Sequence, residues 1–125
     1  MELKVKLYIA DDEGGKFMGI GVLWLLEKIQ SEGSLKRASE SLGISYSKAY
    51  YMIANAEKNL GVHLIDRKKG GVERHGAVLT PFAIGFISLY RDFQDKAKKL
   101  VEGPYEEFST ALEALKEEYR DGQTV

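Results

Sequence analysis

The chain contains no cysteine and only two prolines and two histidines among its 125 residues. The absence of cysteine excludes disulfide bridges, thiolate metal sites and thiol nucleophiles. The longest apolar run, residues 19–26, is far shorter than the roughly 20 residues that span a bilayer. The first residues show no charged leader followed by an apolar stretch. We therefore expect a soluble cytoplasmic protein that does not associate with membranes.

Residues that support catalysis are equally scarce. His63 and His75 lie on either side of a predicted hairpin, and neither belongs to a catalytic or zinc-binding motif. The pair Gly70-Gly71 lacks the Lys-Ser/Thr and the strand-to-helix context of a phosphate-binding loop. We expect no enzymatic activity, no cofactor and no metal site.

The composition that is present, 44% apolar and 30% charged residues, is that of one ordinary globular domain. The net charge of −1 conceals an uneven distribution. Residues 34–75 contain eight lysines and arginines against four acidic residues, whereas residues 101–125 contain two against seven. A basic middle and an acidic end indicate two surfaces with different partners, although chance clustering on a solvated surface explains the charges equally well.

The first quarter of the chain predicts a β-hairpin followed by a helix. Apolar residues alternate from Leu3 to Ile9, residues 11–16 favour a turn, and residues 17–20 predict the returning strand. An apolar stripe at helical spacing then predicts a helix over 21–32.

The next segment has the pattern of a helix-turn-helix. Ser34 and Ser45 are good N-caps for a short helix and for a longer helix over 46–60, and a glycine follows each helix. The predicted buried stripe of the longer helix consists of Ala49, Ile53, Ala56 and Leu60. A short helix, a tight turn with glycine and a longer helix together predict this motif.

Directly behind it, the sequence predicts a wing, which is a β-hairpin with a positively charged tip. Residues 62–65 and 77–79 are the predicted strands, and residues 66–76 form the basic, glycine-rich loop between them. Thr80-Pro81 then starts a helix that extends to about Leu100.

The sequence ends in a second amphipathic helix, predicted over 105–120 after an interruption at Gly103-Pro104. We predict a mainly α fold with a small β content: a winged helix-turn-helix with an N-terminal β-hairpin and C-terminal helices. The DNA-binding and dimerisation domain would cover residues 1–100, and the acidic helix and tail residues 101–125.

DNA binding requires cations for phosphates, a helix that fits the major groove and polar groups at the start of that helix. The helix-turn-helix and the wing supply all three. The predicted DNA-contacting residues are Ser34, Lys36, Arg37, Ser45, Tyr46, Ser47, Lys48, Tyr50, Tyr51, Arg67, Lys68, Lys69, Arg74 and His75. For any one of the cations the alternative is a solvated surface charge, and we expect at least one tyrosine to pack on a neighbouring helix.

Two of the predicted helices carry more apolar side chains than a single core-facing side can accommodate, which predicts a homodimer. The helix over 21–32 is apolar on two sides, and the helix over 80–100 has an approximate 4-3 apolar rhythm that is typical of a coiled-coil seam. The predicted interface residues are Leu23, Trp24, Phe86, Leu89, Tyr90, Phe93 and Leu100. The alternative is that Trp24 and the seam pack within one subunit.

Several motifs between Leu3 and about Asp92 have the order and spacing of a known family. They are the hairpin over 4–20, Gly19-Ile20-Gly21 with Leu25-Leu26, Glu32-Gly33-Ser34-Leu35, Gly43-Ile44-Ser45-Tyr46-Ser47-Lys48-Ala49-Tyr50, Leu60-Gly61, Gly70-Gly71 and Gly76-Ala77-Val78-Leu79-Thr80. Together they resemble the DNA-binding domain of ModE-type, molybdate-dependent transcriptional regulators. Residues 35–61 with Thr80-Pro81 also resemble LysR-type regulators.

The resemblance implies a domain that dimerises through helices flanking the helix-turn-helix, places the second helix in the major groove and binds a palindromic operator. It implies DNA contacts for Ser45, Tyr46, Ser47, Lys48, Tyr50, Arg67, Lys68, Lys69 and Arg74. Ser39 stands where the related motif usually has alanine. The sequence has no counterpart of the family's oxyanion-binding module, so we do not expect molybdate sensing.

Two functions fit these features. The first is a homodimeric, sequence-specific transcription regulator that binds double-stranded DNA. The second is a winged-helix module for protein–protein interaction, whose acidic C-terminal helix binds a partner other than DNA.

Overall fold

A computed structural model describes residues 1–67 and 76–120. The elements, in chain order, are β1 (Tyr8–Ala10), β2 (Lys16–Gly19), α1 (Ile20–Glu32), α2 (Leu35–Leu42), α3 (Tyr46–Leu60), β3 (Ile65–Asp66), β4 (Val78–Leu79), α4 (Pro81–Leu100) and α5 (Glu102–Arg120). They form two compact units: Lys6–Tyr90 is one, and Met1–Val5 with the chain from Arg91 onward is the other. The predicted fold class, a mainly helical winged helix-turn-helix with small β elements, is confirmed.

The N-terminal hairpin is shorter than the predicted one. β1 and β2 pair antiparallel with Tyr8 opposite Gly19 and Ile9 opposite Met18. The carboxylate of Asp11 holds the turn, because its Oδ1 accepts hydrogen bonds from the backbone N–H groups of Glu13 (2.9 Å) and Gly15 (2.8 Å). Tyr8 pairs with Gly19, the last residue of β2, and α1 begins at the next residue, Ile20. Residues 3–7 therefore have no strand residue to pair with, so β1 begins at Tyr8 and not at Leu3 as predicted.

The helix-turn-helix is confirmed, with both serine caps in place. Ser34 Oγ accepts a hydrogen bond from Arg37 N (3.2 Å), and Ser45 Oγ accepts one from Lys48 N (3.0 Å). The glycines that end α1, α2 and α3 all have positive φ angles of 69–72°. This left-handed conformation is unfavourable for a residue with a Cβ, so these positions favour glycine.

The core of the first unit lies between α1, α2, α3, the wing and the first half of α4. Its largest fully buried apolar side chains are Met18, Leu25, Leu26, Ile29, Leu35, Ile53 and Leu64. The buried stripe of α3 is confirmed at Ala49, Ile53 and Ala56, whereas Leu60 is only half-buried. Ala38 and Ala49 are fully buried, and their small size lets α2 and α3 approach closely.

The base of the wing is fixed at two points. β3 and β4 pair Ile65 with Leu79, and Thr80 N donates to Leu64 O (3.0 Å). On the other side, Ala77 N donates to Gly33 O (3.0 Å). The first wing strand was predicted over 62–65 but occupies only Ile65–Asp66, because the N–H of Leu64 donates to a side chain of α3.

In the second unit, α5 begins earlier than predicted. Gly103-Pro104 was expected to interrupt the chain, but the break falls at Val101 and both residues lie in the first turn of α5. Proline is tolerated there because its missing N–H has no intrahelical partner in any case. No described residue of α5 is buried. The division at residue 100 between a DNA-binding domain and an acidic tail stays a prediction.

Candidate nucleic-acid interface

The N-terminal half of α3 presents a continuous set of polar and aromatic side chains to solvent. Ala49 is buried, and the residues on either side of it are exposed. The exposed residues are Ser45, Tyr46, Ser47, Lys48, Tyr50 and Tyr51. A helix with one apolar face in the core and a polar start on the surface has the form of a recognition helix.

The three tyrosines differ in their surroundings, and none of them is buried. The rings of Tyr46 and Tyr50 are 6.4 Å apart and tilted by 38°. The guanidinium of Arg67, at the base of the wing, lies 4.9 Å from the centre of the Tyr50 ring, which is cation–π distance. Tyr51 is 65% exposed and lines a cleft beside Trp24 of α1. The Tyr50–Arg67 contact therefore connects α3 with the wing.

The predicted contacts on α2 fall into two groups. Lys36 and Arg37 are both exposed in its first turn, as a contact with a phosphate backbone requires. Ser34 is 1% exposed, and its hydroxyl caps α2. Ser34 therefore stabilises the helix-turn-helix and has no surface with which to contact DNA, contrary to its predicted role.

Of the predicted wing residues, the structure describes only Arg67, which is exposed. Lys68, Lys69, Arg74 and His75 lie outside the described residues. The sequence prediction for these four residues stays a prediction.

No motif or spacing in the sequence pointed to the role of Glu57. Its carboxylate, only 14% exposed, lies on the α3 side that faces the wing. Oε2 accepts hydrogen bonds from Leu64 N (2.8 Å) and Ile65 N (3.4 Å) and lies 3.3 Å from His63 Nδ1. Thr80 adds a second link, since its hydroxyl donates to His63 O (2.8 Å) and accepts from Ala83 N (3.1 Å). These bonds fix the position of the wing relative to α3.

The predicted dimer residues of the first unit separate into buried and exposed groups. Leu23 and Tyr90 are buried in the core of this unit, so their packing leaves almost no surface for a partner subunit. Phe86 is half-buried and stacks on Phe82 at 6.0 Å. Trp24 is 54% exposed and Leu89 73% exposed. The alternative that Trp24 lies in the core of one subunit is therefore wrong.

In the second unit, Phe93 and Leu100 are both exposed on α4. On the same stretch of helix, a hydrogen bond with Asp92 and the charge of its carboxylate raise the pKa of Lys96, with 2.8 Å between the two groups. Lys96 is therefore cationic at neutral pH.

Residues 1–67 and 76–120 contain no group of three or more histidine, aspartate or glutamate side chains placed to hold a metal ion. Within the same ranges, no helix combines the length and the apolar character that crossing a membrane requires.

The fold and this surface define a winged helix-turn-helix domain. The family model of the bacterial regulatory helix-turn-helix proteins of the lysR family matches residues 22–83, from α1 into α4. Residues 22–83 of this chain are therefore similar to the regulatory helix-turn-helix domain of the LysR family.

One curated relative is the molybdenum transport protein ModE of Herbaspirillum seropedicae, which is 33% identical over 70 residues. The match covers 56% of this chain and 26% of that protein, so the chain spans about a quarter of the length of this relative.

Solved structures of similar fold include two DNA-binding domains in complex with DNA. The BenM domain bound to catB site 1 is 21% identical, covers 71% of this chain and 93% of its own, and gives a TM-score of 0.52. The CbnR domain bound to DNA is 22% identical to this chain and gives a TM-score of 0.53. That match covers 76% of this chain and 98% of the CbnR chain. At these identities the similarity shows the fold alone.

Proposed function

We propose that this protein is a homodimeric transcription regulator that binds a palindromic operator, with α3 in the major groove. The observation that carries the proposal is the exposed, polar start of α3, the second helix of a LysR-type helix-turn-helix. Ser47 and Lys48 can hydrogen-bond base edges or phosphates, and the ring of Tyr50 can contact a thymine methyl group. The solved BenM and CbnR domains of similar fold are complexes with DNA, which supports this assignment.

The wing adds positive charge beside α3. Arg67 lies against Tyr50, so a phosphate bound by this guanidinium would also orient the aromatic ring at the groove. The sequence places three further cations, Lys68, Lys69 and Arg74, in the predicted tip. We assign these residues to the DNA backbone or the minor groove.

The dimer is assigned to exposed apolar side chains of α4. Leu89 in the first unit and, separately, Phe93 and Leu100 in the second are large apolar side chains that are exposed to solvent. Covering them with a second copy would remove apolar area from water. Two copies would bind half-sites about one helical turn, roughly 34 Å, apart.

A fluorescence-anisotropy titration tests the function. The probes are the DNA upstream of the protein's own gene and a scrambled duplex, each at about 50 and about 200 mM salt. We expect salt-steep binding with a clear preference for the upstream DNA. An absence of binding to both duplexes at low salt would refute the proposal.

The second candidate, a protein-interaction module, is favoured by α5. This helix exposes Phe108, Leu115 and Tyr119 among its glutamates and has no buried residue. An acidic, amphipathic surface of this kind suits a basic partner protein. A chain that is dimeric in solution but does not bind DNA at low salt would support this candidate over the first.

A further inference from the structure

A cleft of about 420 Å³ lies between β2, α1 and α3 in the first unit, and the proposed function does not use it. Its volume lies within the range of about 300–1,000 Å³ that is typical of small-molecule sites. Most of its wall is apolar, and the aromatic part of the wall consists of Phe17, Trp24 and Tyr51. Ile44 and Met52 complete it with flexible aliphatic surface.

The charged residues that line this cleft are both lysines, and Asn55 is a neutral polar residue of the wall. Lys16 and Lys48 line it, and none of the described lining residues is acidic. The Lys16 ammonium lies 5.5 Å from the centre of the Tyr8 ring, and its backbone carbonyl accepts a hydrogen bond from Asn55 Nδ2 (3.4 Å). The Lys16 ammonium thus lies at Tyr8, which leaves Lys48 as the cation of the cleft. A mainly apolar, partly aromatic wall with one lysine suits a ligand that combines a flat ring with one negative charge.

We propose that this cleft binds a small aromatic carboxylate. The ring lies against Trp24 and Tyr51, and the carboxylate pairs with Lys48. This assigns the exposed ring of Trp24 to the cleft, while Leu89 and the exposed residues of α4 keep the dimer role.

Ligand and DNA would compete for the same side chains. Lys48 and Tyr51 line the cleft and also belong to the exposed start of α3. A bound carboxylate would neutralise Lys48, so the ligand should weaken DNA binding, and DNA should weaken ligand binding by the same factor. This competition rests on the proposed function, whereas binding in the cleft does not.

The first experiment is a titration of the ¹⁵N-labelled full chain with naphthalene-2-carboxylate, without DNA. Because the chain has a single tryptophan, the indole N–H of Trp24 gives one resolved signal. We expect this signal and the amides of α3 around Lys48 to shift together. The uncharged naphthalene-2-carboxamide should bind about fivefold more weakly, which is the effect of losing one exposed ion pair.

Two lysine variants on α3 provide the matched comparison. Lys48→Ala should weaken binding of the carboxylate but not of the carboxamide, whereas Lys58→Ala, an exposed lysine outside the cleft, should leave both affinities unchanged. Shifts confined to other surfaces, or equal affinity of the carboxylate and the carboxamide, would overturn the assignment of the cleft.

The second experiment repeats the DNA titration with the carboxylate at saturating concentration. A lower DNA affinity for the unmodified chain, without a corresponding change for Lys48→Ala, supports the competition. An unchanged DNA affinity with the cleft occupied refutes it. If the chain does not bind DNA at all, the NMR titration still decides whether the cleft binds the ligand.

Discussion

The link between α3 and the wing leads to a quantitative prediction at Glu57. Replacing Glu57 with alanine removes the acceptor of the partly buried Leu64 N–H, which is 2.8 Å from Oε2. A buried donor that loses its partner costs about 1–3 kcal/mol. The longer bond to Ile65 N, at 3.4 Å, and the contact with the exposed His63 should add little. For a unit of this size, each kcal/mol corresponds to about 4–8 °C in Tm.

Thermal unfolding followed by circular dichroism measures this effect, and two variants control for it. Glu57→Gln should lose less stability, because its amide oxygen still accepts from Leu64 N–H, although without the negative charge. Glu40→Ala removes an exposed glutamate of α2 and should change stability by no more than about 0.5 kcal/mol. If Glu57→Ala were as stable as Glu40→Ala, the carboxylate would not hold the wing, and this reasoning would be refuted.

Four further predictions concern the helices. Gly21→Ala should raise the free energy of unfolding, measured in urea, by about 0.5–1 kcal/mol, because alanine is more favourable than glycine within a helix. The new Cβ would lie 3.7 Å from Met52 Cε, which is an ordinary van der Waals contact. Gly33→Ala should instead destabilise it by about 1–2 kcal/mol, since φ is +69° there; equal midpoints for the two variants would contradict both predictions. Tyr50→Ala should reduce discrimination between operator and scrambled DNA by about 1–3 kcal/mol in anisotropy titrations, and an equal loss on both duplexes would remove its assigned role. Leu89→Glu should shift the sedimentation mass from dimer to monomer while leaving the helical circular dichroism signal intact; a persistent dimer would place the interface elsewhere.

The elements that depend on local sequence could be predicted closely. Ser34 and Ser45 cap the helices that they were expected to cap, and the glycines after α1, α2 and α3 take the left-handed conformation. Each of these features involves residues within one turn of one another, so spacing in the sequence is sufficient to reveal it. The exposed start of α3 follows from the same periodicity, because Ala49 and Ile53 fix which side is buried.

The features that depend on distant partners could not be predicted. The length of β1 is set by the position at which β2 becomes α1, and the short first wing strand is set by Glu57, which lies seven residues before Leu64. Periodicity shows that α1 is apolar on two sides, but it does not show that Leu23 would be buried while Trp24 would line a cleft. Those outcomes depend on what packs against each side.

The short connections between the first three helices have a consequence for the order of folding. Two residues separate α1 from α2, and three separate α2 from α3. The packing of these helices therefore closes only small loops, which is fast and costs little chain entropy. The bond from Ala77 N to Gly33 O closes a much longer stretch of chain. We expect the three helices to assemble early in refolding and the wing to dock last, so that α3 is formed before the wing packs beside it.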